Sequence, residues 1–204
     1  MLNKDAIRII GLAGLLAVML AGCGNKEWNS ADAQVTTLGI DKEGHVLEVV
    51  VEDFAESYYD EAEFKDLLES DIASYVADAG GSGGSGAPIV LNEVKKEGTK
   101  IRTSTTYETA EDYSDFTLES LYYGTVRQGR LRGFELPSRL NSSENKPYQV
   151  SDADADNHVI FTDGKDHIVT PYKIIAATEG VSVISDNEAD FSGTEGRSAV
   201  LLEK

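Results

Sequence analysis

The chain has 204 residues and a formal net charge of −18, with 18 Lys and Arg set against 36 Asp and Glu. So acidic a surface repels nucleic-acid phosphates and opposes flat docking on anionic lipid, so no nucleic acid is expected among its partners. A single cysteine allows no internal disulfide, so the fold must rest on its core, and the length suits one well-buried domain better than two.

At the N-terminus Lys4 and Arg8 precede an uncharged run from Ile9 to Met19, which ends in Leu20-Ala21-Gly22-Cys23. This order is a positive region, an apolar region and a cleavage zone of small residues. The apolar run falls short of the roughly 20 residues that a comfortable membrane span needs. Leu20-Ala21-Gly22-Cys23 resembles the lipobox of bacterial lipoproteins. The resemblance implies that residues 1–22 are a signal peptide, and that Cys23 becomes the N-terminus with a diacylglyceryl group on its sulfur. Two acyl chains, at about 0.8 kcal/mol per buried methylene, hold a domain on a membrane where one would not. The implied location is the extracytoplasmic face of the cell membrane, with the lipid at Cys23 as the link. Residues 23–33, polar and small except for Trp28, read as the lipidated Cys and a flexible tether, and residues 34–204 as one domain.

Val35–Ile40 and His45–Val51 are β-rich runs around Asp41-Lys42-Glu43-Gly44, which predicts a hairpin with Gly44 at positive φ and a central second strand. Asp60 as N-cap, Glu63 three residues later, and Phe64, Leu67, Leu68, Ile72, Tyr75, Val76 and Ala79 at helical spacing predict a one-sided helix over 60–79 that covers a sheet. Gly80 would cap it. The Gly/Ser stretch 80–86 follows a helix and lacks a lysine, so it reads as a surface loop or an engineered linker rather than a phosphate cradle. Pro88–Val94 and Lys100–Tyr107 predict a second hairpin, and the repeated Lys-Glu-Gly turns, at 42–44 and 96–98, hint at a duplicated ββα unit. Thr109 opens a short helix, Leu118–Tyr123 suits a strand, and Val126–Arg132 a basic helix closed by Gly133. Arg127, Arg130 and Arg132 serve either internal charge balance or an anionic ligand. Residues 137–157 read as a long polar loop, followed by five short β runs from Val159 to Leu202.

A covalent enzyme needs a nucleophile beside a base. The histidines are His45, His158 and His167, all in or beside expected strands, and no Gly-x-Ser-x-Gly elbow occurs. One constellation has a specific spacing. Asp152, Asp154, Asp156 and Asp163 occupy positions 1, 3, 5 and 12 of a twelve-residue loop, with His158 at position 7. It resembles the calcium loop of dockerins and EF-hands over these residues alone. It departs from that pattern at Asn157, where glycine is usual, at Asp163, where EF-hands carry Glu, and in flanks that read as loop and strand. The alternatives are a calcium site or an acidic, solvated loop.

The expected architecture is α+β: antiparallel β hairpins packed against one long amphipathic helix, with a C-terminal antiparallel β meander. The expected function is a non-catalytic binding or assembly role in the cell envelope, toward a protein or glycan partner, with no cofactor except the calcium that Asp152–Asp163 would bind. The competing readings are a hydrolase using carboxylates and a calcium-dependent binding module.

Overall fold

The computed structural model of the chain describes residues 29–78 and 87–203. Strands β1 (Thr37–Ile40) and β2 (Val46–Asp53) form the expected first hairpin. Asp41 closes its turn, with Oδ1 accepting from the N–H groups of Gly44 (2.8 Å) and His45 (2.9 Å). Gly44 takes φ +97°, where a side chain would strain the backbone. Helix α1 (Glu61–Asp78) follows, capped by Asp60 Oδ1 on the N–H groups of Ala62 (2.9 Å) and Glu63 (3.0 Å). Strands β3 (Ile89–Glu97) and β4 (Lys100–Tyr107) make the second hairpin, and helix α2 (Ala110–Thr117) follows it behind the N-cap Thr109. β2 pairs with β4 from Val46↔Tyr107 to Asp53↔Lys100, so its Val-rich run lies centrally. The two ββα units thus meet through their second strands.

The remainder runs β5 (Leu121–Thr125), α3 (Val126–Leu131), β6 (Arg139–Ser142), β7 (Pro147–Gln149), β8 (His158–Thr162), β9 (His167–Val169), β10 (Ile174–Ala177), β11 (Ser182–Ser185), β12 (Glu188–Asp190) and β13 (Ser198–Leu202). A 3-10 turn at Ser30–Asp32 precedes β1, and another at Asp152–Asp156 precedes β8. The described residues form an α+β fold that is mostly sheet. One sheet has the order β11-β12-β9-β1-β2-β4-β3, the other β5-β8-β13-β10-β6-β7.

The C-terminal third corrects the expected meander. β8, β10 and β13 join the second sheet, while β9, β11 and β12 extend the first, and β9 lies parallel to β1 from Thr37↔His167 to Gly39↔Val169. Turn residues mark where strands end, whereas the sheet each strand joins is decided by burial against partners far away in sequence. β13 shows that burial. Val200 and Leu202 enter the core between the sheets with Leu38, Ile40, Tyr107 and Ile160, while Ala199 and Leu201 enter a second core with Val159, Phe161 and Leu140. Alternate side chains point to opposite faces, so a strand buried on both must be apolar throughout, as Ser198–Leu202 nearly is.

α1 covers less than its periodicity suggests. Leu67 is 57% exposed, and Phe64, Leu68, Ile72, Tyr75 and Val76 are only half-buried. The helix lies along β3, the edge strand, and only Ile72 and Tyr75 reach the central core. The second sheet supplies the cover that the helix was expected to give. The long polar loop is also corrected: β6 and β7 pair within it, Arg139↔Gln149 to Asn141↔Pro147, because Leu140 and Tyr148 close the second core. Residues Ser30–Ala33 are held to the first sheet, since Arg102 donates to the carbonyls of Ser30 and Ala33, the latter at 2.7 Å. Cys23, Gly80 and the Gly/Ser stretch lie outside the described residues.

Candidate functional site

β1 and β4 run toward the same end of the first sheet, and their continuations build a groove there against the second sheet. Its walls are the β1–β2 turn (Lys42, Glu43, Gly44), the first turn of α2 (Thr109, Ala110, Glu111), β5 (Leu121 to Gly124), Gln128 and Arg132, with Phe134 and His158 completing them. The groove is open to solvent along one side and has a volume of about 610 Å³, within the range of small-ligand sites.

Local sequence rules hold these walls. Thr125 Oγ1 accepts from the Gln128 N–H (3.2 Å) and Gln128 Oε1 from the Thr125 N–H (3.2 Å), a capping box that starts α3 directly at the end of β5. Tyr122 and Tyr123, adjacent on a strand, diverge. Tyr122 stacks on Phe134 at 4.6 Å, and Tyr123 stacks on His158 at 5.3 Å. His158 in turn stacks on Tyr172 at 4.9 Å, and Lys42 Nζ stands 5.6 Å from the Tyr172 ring centroid. A side chain at Gly124 would begin 2.5 Å from the Tyr122 hydroxyl, so any larger residue there would have to displace that ring. Burial, with Tyr172 as a neighbour, raises the pKa of the Tyr123 hydroxyl. At the mouth Arg132 faces Glu111 at 3.8 Å. Behind the turn, the hydrogen bond from His45 Nδ1 to Asp41 Oδ2 (2.6 Å) raises the imidazole pKa against the opposing effect of its burial. The lining therefore offers aromatic rings and charges of both signs, an arrangement suited to holding a ligand.

The five candidate calcium ligands do not converge. Asp152–Asp156 is a 3-10 turn, and its acids take separate partners. Asp154 is buried, accepting from Tyr148 Oη (2.7 Å), the Ser151 N–H (2.8 Å) and Asn157 Nδ2 (3.2 Å). Burial works to raise its pKa, but these hydrogen bonds outweigh it and hold the carboxyl below its ordinary range. Asp156 pairs with Arg127 at 3.0 Å and Asp152 with Arg130 at 3.9 Å. Asp163 Oδ1 accepts from the Ser120 N–H at 2.8 Å, pinning the entry to β5. His158 belongs to the groove. Among the described residues no three His, Cys, Asp or Glu side chains are grouped to hold a metal ion. Arg127 and Arg130 of α3 thus each face an acid, in keeping with the charge-balance alternative for these two, whereas Arg132 lines the groove.

A second cluster lies on the inner face of the first sheet. Glu48, on β2, accepts from the Tyr107 hydroxyl at 2.7 Å, and Tyr113 donates to Glu119 at 3.1 Å. Burial pushes Glu48 up to about 7, although the Tyr107 hydrogen bond pulls the other way. Asp166 rises to about 6, through burial and then the charges of Glu119 and Glu52. The sequence carried a signal for Glu48: a single acid in the apolar run Val46-Leu47-Glu48-Val49-Val50-Val51. It carried none for the groove, whose walls come from segments far apart in the chain.

Comparison with protein-family models, with curated proteins and with solved structures found no match.

Proposed function

We propose that the chain is a lipid-anchored extracytoplasmic binding module, tethered through Cys23, that holds a cell-envelope ligand in the groove between its sheets. The groove supports this reading: about 610 Å³ lined by Tyr122, Tyr123 and Phe134, with Lys42, Arg132, Glu43 and Glu111 as polar anchors. In this reading the antiparallel hairpins and the helix at 61–78 are the scaffold, and binding needs no reacting group. The test is co-sedimentation of the protein with insoluble envelope material, intact or stripped of protein by protease. Lys42→Ala with Arg132→Ala is expected to lose at least tenfold in binding while melting normally. Unchanged sedimentation of that variant would remove the groove from the reading. Protease treatment distinguishes a protein partner from a glycan.

A second reading, a hydrolase working through carboxylates, draws on one observation. Glu48 at about 7 and Asp166 at about 6 have the raised pKa of a general acid. Turnover of chromogenic glycosides or esters that Glu48→Gln abolishes would favour it over the binding module.

A further inference from the structure

The first sheet has two different ends. β4 runs from Lys100 to Tyr107 toward the groove, and at about 3.4 Å per residue that strand puts the groove roughly 24 Å from the β3–β4 turn. The turn end is where the N-terminal segment joins the fold, through Arg102 and the carbonyls of Ser30 and Ala33. Cys23 precedes Asn29 by six residues, which reach at most about 20 Å when fully extended. An acylated Cys23 therefore keeps the bilayer close to the turn end.

That end carries a cluster of rings. The Phe54 N–H donates to the Thr99 carbonyl in the turn at 2.6 Å. The Phe54 ring contacts Tyr59 at 4.9 Å and Phe64 at 5.7 Å, and Tyr58 meets Tyr59 at 4.8 Å. Lys96 Nζ stands 5.1 Å from the Phe54 ring centroid. Tyr58 is 73% exposed, Tyr59 41%, and Leu67, one helical turn beyond Phe64, 57%. Leu118 and Leu131 are more exposed still, so exposure alone does not single this end out; the contact of Phe54, Tyr58, Tyr59 and Phe64 with one another at the anchored end does.

We propose that this cluster is a second membrane contact, which seats the turn end of the first sheet on the bilayer and directs the groove outward. The inference rests on the lipid-anchored reading. Tyrosine rings favour the membrane interface, where the ring meets acyl chain and the hydroxyl meets water. Asp53, Glu56, Asp60, Glu61 and Glu63 flank the cluster and oppose an anionic surface, so the contact is made by ring insertion and does not require anionic lipid.

The test uses the full, lipidated chain in phosphatidylcholine vesicles containing lipid brominated near the headgroup end of its acyl chains. In a Trp28→Phe background, Tyr58→Trp reports the cluster, and Leu131→Trp, at a position 85% exposed on α3 beside the groove, is the distant control. The expected result is a blue-shifted Tyr58→Trp emission quenched at least twofold, with the Leu131→Trp emission unchanged. Protein that floats with the vesicles but shows no quenching, or equal quenching at both positions, overturns the seating alone. A blue shift without quenching, accompanied by dimers in cross-linking, overturns it in favour of a second copy. Protein that fails to float overturns the anchor and the seating together.

Discussion

The hydroxyl of Tyr107 donates to Glu48 Oε2 at 2.7 Å on the core-facing side of the first sheet. A carboxyl in such a place gives up its proton reluctantly, and Glu48 sits at about 7. Because its folded-state pKa lies above its unfolded one, the folded chain holds the proton over a range where the unfolded chain has lost it. Its contribution to stability is therefore full below the ordinary carboxyl range and falls as pH rises through about 7. Asp166, at about 6, acts with the same sign. Asp154 and Asp190, whose pKa values are lowered, act with the opposite sign, so a variant comparison isolates the effect. Glu48→Gln is expected to gain on the order of 1–3 kcal/mol over the parent at pH 8 and little at pH 4 in urea unfolding. A difference that grows toward acid pH would contradict this account.

Tyr107→Phe removes the donor and leaves the carboxylate unpaired. The expected loss is about 1–3 kcal/mol at pH 8, shrinking toward pH 5 as Glu48 takes up a proton. Equal losses at the two pH values would mean that the hydroxyl stabilises the fold independently of the charge.

Gly124→Ala tests the groove wall. Its new methyl would begin 2.5 Å from the Tyr122 hydroxyl, which donates to the Thr125 carbonyl at 3.2 Å. The ring is packed against Phe134 and cannot swing away freely. A loss of about 1–3 kcal/mol is expected in thermal unfolding. Adding Tyr122→Phe removes the crowded oxygen and should restore part of it. No restoration would place the strain in the backbone.

The hairpin turns, the caps at Asp60 and Thr109, and most strands of the C-terminal third were legible in the sequence, because each depends on residues within a few positions of one another. Sheet membership was not. Nothing near His167–Val169 announces a parallel partner at Thr37–Gly39, and the alternation of Ser198–Leu202 between two cores cannot be told locally from any apolar run. The regular spacing of Asp152, Asp154 and Asp156 likewise does not reveal which partner each acid takes. Period-two spacing brings side chains to one point only on an extended or suitably looped backbone, and here Asp154 is drawn inward by Tyr148 while its neighbours face arginines on α3.

That division of roles sets the cost of each acid. Asp156 and Arg127 are both exposed, so Asp156→Ala is expected to cost less than about 1 kcal/mol. Asp154→Ala strands the Tyr148 hydroxyl and the Ser151 N–H, and about 1–3 kcal/mol is expected. Equal costs in denaturant titration would show that the 3-10 turn is not organised around Asp154.

The helix offers the sharpest contrast between periodicity and burial. Leu68 lies on the apolar stripe of α1 yet is only half-buried, because the helix rests on the edge strand β3 and leaves part of that stripe in water. Leu202 is fully buried between the sheets. Burying a leucine contributes about 1.5–3 kcal/mol, of which a half-exposed one realises roughly half, and truncating a fully buried one adds a cavity term. Leu202→Ala is therefore expected to cost about 2–5 kcal/mol and Leu68→Ala about 1 kcal/mol. The two are read from urea midpoints at one pH with unchanged slopes, so that the comparison reports stability and not a change in the unfolded chain. If Leu68→Ala cost as much as Leu202→Ala, α1 would have to cover the core as fully as its sequence pattern suggested.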